Sequence, residues 1–104
     1  MKIERFEDIE AWKEARALVG MIYESTTKAP FKNDWGLREQ IQRAAISVMS
    51  NIAEGFVSQT NRGFIVFLGY SLHSNAEVQS QIYAALDLHY LDNDTFKLVD
   101  GQMY

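Results

Sequence analysis

The chain contains no cysteine and a single proline among its 104 residues. Without thiols it can form no disulfide and no thiolate metal site, and cysteine nucleophiles are excluded as well. Proline is absent from residues 56–104, so no proline interrupts a long helix there. The sequence also has no Gly-x-Ser-x-Gly nucleophile motif and no phosphate-binding P-loop, which excludes two large classes of enzyme.

Long apolar runs are missing too. No stretch approaches the roughly 20 apolar residues that span a bilayer, and the amino terminus lacks a basic segment followed by a signal-like core. We therefore expect no membrane association and a cytoplasmic location. The length suits one domain, residues 1–104, and a hydrophobic content of 47% is enough for its core.

Positive charge is in short supply, with ten basic residues against fourteen acidic ones and a net charge of −4. A negative molecule repels the phosphate backbone of nucleic acid unless a local basic patch outweighs the average charge. The candidates for such contacts are Lys28, Lys32, Arg38 and Arg62. The alternative interpretation is that these are ordinary scattered surface bases.

Apolar residues recur at steps of three and four through the middle of the chain. Leu37, Ile41, Ala44, Val48 and Ile52 share one face of a helix, which the spacing predicts over residues 35–54. We expect that helix to end at Gly55 in a left-handed cap.

Similar spacing predicts three further helices. The first covers about residues 8–27 and places Trp12 in the core. The third covers about residues 62–89 and begins after an N-cap at Thr60 or Asn61. A short fourth helix follows a cap at Asp92 or Asn93. The fold class is therefore all-α.

Residues 63–70 are apolar on every side of the third helix. A helix that is apolar all round needs cover all round, and a single bundle covers only one face. We therefore expect a homo-oligomer with Ile65, Val66 and Tyr70 as contacts between subunits. The alternative is a thick intramolecular core.

A polar ribbon runs beside the apolar seam of the second helix. Arg43, Ser47, Asn51 and Glu54 advance by four, four and three residues, and such a ribbon can fix helix register or join subunits. The alternative makes Glu54 an acid or base, but no partner base is evident in the sequence.

Metal chemistry has weak support. No glutamate has a histidine three residues later, as di-iron bundles require, and His73 with Glu77 supplies only two ligands from one helix. We expect no metal site and no cofactor.

Residues 36–55 also carry a recognisable set of short identities. They are Gly36, Leu37, Gln40, Ile41, Arg43, Ala44, Ala45, Ser47, Ser50, Asn51, Ile52, Ala53, Glu54 and Gly55. In this segment the chain resembles the four-helix-bundle family first noted as the protein of the 23S rRNA intervening sequence. The resemblance extends upstream to Phe6 and Trp12 and downstream to Phe64 and Phe67.

This resemblance implies an up-down antiparallel four-helix bundle that assembles as a ring-like pentamer. The predicted fourth helix has only about twelve residues, which is marginal for a helix. Relatives continue this helix for several more turns, so we expect a short or truncated fourth helix here. A related branch includes the accessory protein of diversity-generating retroelements, a basic pentamer that binds nucleic acid and a reverse transcriptase. In many relatives the loop corresponding to residues 56–61 is rich in arginine and lysine. Here residues 56–61 contain neither, and Arg62, which follows them, is the only basic residue at this loop.

The sequence therefore predicts a non-enzymatic, self-associating bundle that acts as an interaction scaffold, with itself as the first partner. The alternative is an accessory factor that binds RNA, DNA or a polymerase. A third hypothesis is a small metal or ligand enzyme that uses Glu54, His73 and Glu77.

Overall fold

A computed structural model describes residues 3–103 of the chain. Four helices follow one another: α1 (Glu10–Thr26), α2 (Trp35–Val57), α3 (Asn61–Asp87) and α4 (Asn93–Gln102). Single 3₁₀ turns precede α1 and α2, and residues 3–103 contain no strand. The connections are short, as expected where neighbouring helices run antiparallel. The all-α four-helix bundle with a short fourth helix is confirmed.

Side-chain caps set where three of the helices begin. Asp34 Oδ1 accepts a hydrogen bond from Leu37 N at 3.1 Å, and Thr60 Oγ1 accepts one from Gly63 N at 2.9 Å. Asp92 Oδ1 accepts one from Thr95 N at 2.7 Å. Each bond satisfies a backbone donor that has no partner inside its own helix.

The predicted end of α2 at Gly55 is wrong. The helix continues to Val57, and the left-handed residue after it is Gln59, with φ of 62°. Gly55 is buried where α2 and α3 approach each other: a Cβ at this position would lie 3.0 Å from Phe64 Cδ1 and 3.1 Å from Phe67 Cβ. The residue therefore allows close helix packing instead of ending the helix.

The core forms two clusters along the bundle. The larger one surrounds Ile22, Phe31, Ile41 and Ile82 and includes Val99 of α4. The smaller one, near the start of α1, contains Trp12, Ala15, Val48 and Ile52. Trp12 is thus in the core as predicted, whereas Trp35 is exposed.

The short α4 covers only part of the groove between α1 and α3. Val99 is buried there, the Phe96 ring packs 4.9 Å from the ring of Tyr83, and Gln102 Nε2 donates to Glu14 O at 2.9 Å. A groove beside Gln102 and Met103 has Val48 and Ile52 in its lining. The molecule is a rod of 43 × 23 × 18 Å.

Candidate interaction surface on helices two and three

The inner half of the polar ribbon links α2 to α3. Asn51 Nδ2 donates to both Ser47 O and Ser47 Oγ at 2.9 Å, and Ser74 Oγ of α3 donates to Ser47 Oγ at 2.8 Å. Nearby, Ser71 Oγ donates to Val48 O at 2.8 Å. These small side chains let the two helices approach closely and hold them in one register.

The outer half of the ribbon is exposed. Arg43 pairs with Glu39 on its own helix at 3.5 Å, and 82% of the Arg43 side chain is accessible. Glu54 lies eleven residues from Arg43, about 16 Å along the helix axis, and is exposed as well. The four ribbon residues therefore divide into an internal pair, Ser47 and Asn51, and two charged groups that face solvent.

A shallow cleft of about 360 Å³ lies between α2 and α3 beside the ribbon. Its lining consists of Gln40, Arg43, Ala44, Ser47, Ser74 and Glu77. On its α3 rim, His73 Nε2 lies 3.7 Å from Glu77 Oε1; the His73 side chain is largely exposed and that of Glu77 about half exposed. Within the described part of the chain, no three histidine or acidic side chains come together in a way that could hold a metal ion.

The three predicted contact residues of α3 are all exposed, but they lie on two different edges. Ile65 is 68% accessible and shares its edge with Leu72, which lines the groove beside α1. Val66 and Tyr70 are 44% and 55% accessible and lie on the edge that leads to Glu77 and the cleft beside α2. The helix therefore presents an apolar edge on each side. The sequence pattern missed Leu72, although it is 70% accessible.

The four candidate bases do not form one patch. Lys28, Lys32 and Arg38 cluster at the turn between α1 and α2, where Arg38 Nη1 donates to Lys32 O at 3.1 Å and Lys28 Nζ lies 3.7 Å from Glu24. Arg62 lies in the first turn of α3, beyond the far end of α2. The 23 residues of α2 measure about 35 Å along the axis, so Arg62 lies at the opposite end of the bundle.

Comparison with known proteins adds a family assignment. Residues 7–103 match the family described as 23S rRNA-intervening sequence protein. The match covers all four helices, and the description specifies no reaction. No curated protein matches the chain. Between residues 3 and 103, no helix is long and apolar enough to cross a membrane.

Proposed function

The chain belongs to the 23S rRNA-intervening sequence protein family, and we propose that it is a non-enzymatic, cytoplasmic scaffold that self-associates through α3. The observation that carries this proposal is the exposure of large apolar side chains on both edges of that helix. Ile65, Tyr70 and Leu72 are each more than half accessible. Large exposed apolar side chains, when several lie on one element, mark interaction sites in folded proteins.

The accessible area of the whole chain supports the same proposal. The chain exposes 6780 Å², whereas a folded monomer of 11.9 kDa is expected to expose about 6,000 Å². The excess is about 800 Å² of accessible surface, which contacts with further copies can bury. A ring of five copies is the stoichiometry that the family resemblance implies, and it forms part of this proposal.

Sedimentation velocity and light scattering across a range of protein concentrations test self-association. We expect an assembly larger than one copy, and we expect Ile65→Ser combined with Tyr70→Ser to shift it towards the monomer. The control is Leu98→Ser, which removes an equally exposed leucine from α4, 67% accessible in the wild type. A single-copy mass at every concentration contradicts the proposal.

The second candidate function is nucleic-acid association, supported by the cluster of Lys28, Lys32 and Arg38 at one end of the bundle. Binding to phosphates releases counterions, so retention of RNA or DNA should fall steeply as salt is added. Lys32→Glu should then weaken retention more than Lys97→Glu on α4. Failure to retain either nucleic acid at low salt removes this candidate.

A further inference from the structure

Two side faces of the bundle meet at α2. This helix packs against α1 on one side and α3 on the other, and α4 also packs against α1 and α3, so α2 and α4 lie at diagonal corners. The first face lies between α1 and α2, and the second lies between α2 and α3. In a square four-helix bundle the outward directions of two such adjacent faces differ by about 90°. Neither face borders α4.

The α2–α3 face carries a regular ridge of side chains. Val66, Tyr70, His73 and Glu77 advance by four, three and four residues, which places them on one edge of α3. All four are exposed, and Glu77 lines the cleft beside α2. The Tyr70 ring, the largest of the four side chains, packs 5.8 Å from the ring of Phe67. We call the four residues the α3 ridge.

The α1–α2 face carries a matching row with a gap in it. Arg16, Gly20, Tyr23 and Thr27 follow the same spacing on α1, and all four are exposed. Tyr23 and Ile46 of α2 line a cleft of about 290 Å³ between the two helices. At Gly20 a Cβ would meet no atom of residues 3–103 within 4 Å, apart from its chain neighbours and the nearby backbone of its own helix. We call Arg16, Gly20, Tyr23 and Ile46 the α1–α2 groove.

We propose that the α3 ridge of one copy docks in the α1–α2 groove of the next copy, and that this contact, repeated from copy to copy, closes the ring. The inference rests on the proposed self-association and names the two surfaces that it joins. A ring of five requires contact faces whose outward directions differ by about 108°, and a ring of four requires about 90°. The two faces that meet at α2 come close to this requirement, whereas contact through opposite faces of the bundle would extend an open line.

Two hydrogen bonds to α2 fix the heights of the ridge and the groove along the bundle. On one side, Ser74 Oγ donates to Ser47 Oγ at 2.8 Å. On the other side, Gln42 Nε2 donates to Thr26 Oγ1 at 2.9 Å. Neighbouring helices of the bundle are antiparallel, so counting four residues back from Ser74 and ten back from Thr26 reaches the same level of α2 to within about one residue, or 1.5 Å.

The residues at this common level are Tyr70 on the α3 ridge and Arg16 in the α1–α2 groove. Rotation about a ring axis keeps height unchanged, so Tyr70 of one copy meets Arg16 and Gly20 of the next where the bundles stand parallel to that axis. The gap at Gly20 gives room to the tyrosine ring, as close helix packing requires. The Arg16 guanidinium lies 5.9 Å from the ring of Trp12, and in the contact it lies against a second aromatic ring, which is favourable for a cation.

Charge complementarity supports this contact. Arg16 and Glu54 form no ion pair with any of residues 3–103. Glu54 follows Ser47 by seven residues, so it lies on the same edge of α2, beside α3. Its height differs from that of Arg16 by about two residues, or 3 Å along the axis. When the ridge of one copy docks in the groove of the next, Glu54 of the first and Arg16 of the second therefore lie on facing surfaces at nearly the same height.

Cysteine cross-linking tests the contact directly, because the natural chain has no thiol. Gly20→Cys and His73→Cys are combined in one chain, and the protein is oxidised. The same counting along the helices places the two positions at one height, on opposite sides of α2, so a disulfide between them joins two copies. We expect a series of covalent oligomers up to the size of the ring. Each single variant should stay free of cross-links, and so should the control that combines Gly20→Cys with Leu98→Cys on α4.

Charge reversal provides an independent readout. Arg16→Glu should raise the protein concentration at which half of the chains are assembled by at least about fivefold, because two carboxylates then face each other. Adding Glu54→Arg should restore assembly. Lys97→Glu, on α4 and away from both faces, should leave that concentration unchanged. An Arg16→Glu variant that assembles as the wild type does contradicts the proposed contact.

The proposed contact and the proposed self-association fail in different ways. An assembly that forms without the disulfide between positions 20 and 73 overturns the contact and leaves self-association in place. A covalent product that stops at two copies after complete oxidation also overturns the contact, because a contact between unlike faces continues from copy to copy. A protein that is monomeric at every concentration overturns both.

Discussion

Small residues decide how closely α2 and α3 approach each other. Gly55 leaves room for the rings of Phe64 and Phe67, and Ser74 is short enough to donate to Ser47 across the helix pair. A larger side chain at either position would force the helices apart. Residue size at this contact therefore governs both the packing and the position of the polar ribbon.

Substitution at Gly55 tests this role. Gly55→Ala gains helix propensity but places a methyl group 3.0–3.4 Å from Phe64 and Phe67, so we expect a net loss of about 1 kcal/mol in the free energy of unfolding. The exposed Gly20→Ala should instead gain about 0.5–1 kcal/mol, because its Cβ has open space. Urea unfolding measures both. Equal stabilisation by the two variants would contradict this expectation, because it would show that Phe64 and Phe67 move away from the added methyl group at little cost in free energy.

A second residue-scale prediction concerns Tyr90. Its hydroxyl donates to Asp34 Oδ2 at 2.9 Å, and this hydrogen bond to the carboxylate raises the pKa of Tyr90 above its ordinary value of about 10. Stability from this contact is fully present below pH 10 and is lost as pH rises through the folded-state pKa.

Tyr90→Phe should therefore lower the urea midpoint by a constant amount between pH 7 and 9, and the difference from wild type should shrink above pH 10. Tyr23→Phe, which removes an exposed hydroxyl from α1, is the matched control. A difference that grows at high pH would contradict the assignment.

At the scale of the helices, the polar ribbon has two structural environments. Asn51→Ala removes two hydrogen bonds to Ser47 beside the α2–α3 contact, so we expect a loss of about 1 kcal/mol in the free energy of unfolding. Glu54→Ala removes an exposed carboxylate and should change that energy by less than about 0.5 kcal/mol. Thermal or urea unfolding compares them, and a larger loss from Glu54→Ala would refute the division of the ribbon.

Local chemistry made most of the helices predictable. Thr60 and Asp92 cap α3 and α4 because each has an oxygen within reach of a backbone N–H three residues later, and sequence alone shows such a pattern. The sequence pattern placed the start of α1 and the end of α2 a few residues too early. Residues 6–8 form a 3₁₀ turn before α1. Gly55 is constrained by its contacts with Phe64 and Phe67 on the next helix, which the pattern of α2 alone does not show.

At the scale of the whole molecule, the exposed apolar surface of α3 was predictable but its division was not. The run of apolar residues identified Ile65, Val66 and Tyr70 because no single bundle can cover every side of a helix. Assigning Ile65 to one edge and Tyr70 to the other requires knowing where α1 and α2 lie. For the same reason, the separation of Arg62 from the other bases follows from the antiparallel path of the chain.

The elongated shape makes this surface more prominent. The radius of gyration is 14.5 Å, against about 13 Å for a typical compact chain of this length. A rod exposes more of its side than a sphere does, so α3 offers a long and nearly uncharged strip to a partner. Association along the rod would reduce that exposed area most.

The placement of the two tryptophans at opposite ends of this rod has a practical consequence. Trp12 is enclosed in the smaller core cluster, whereas Trp35 is 65% accessible at the start of α2. Their indole emission should therefore differ in wavelength and in sensitivity to aqueous quenchers. Replacing Trp35 by phenylalanine leaves Trp12 as the single tryptophan, whose emission then reports on the smaller core cluster.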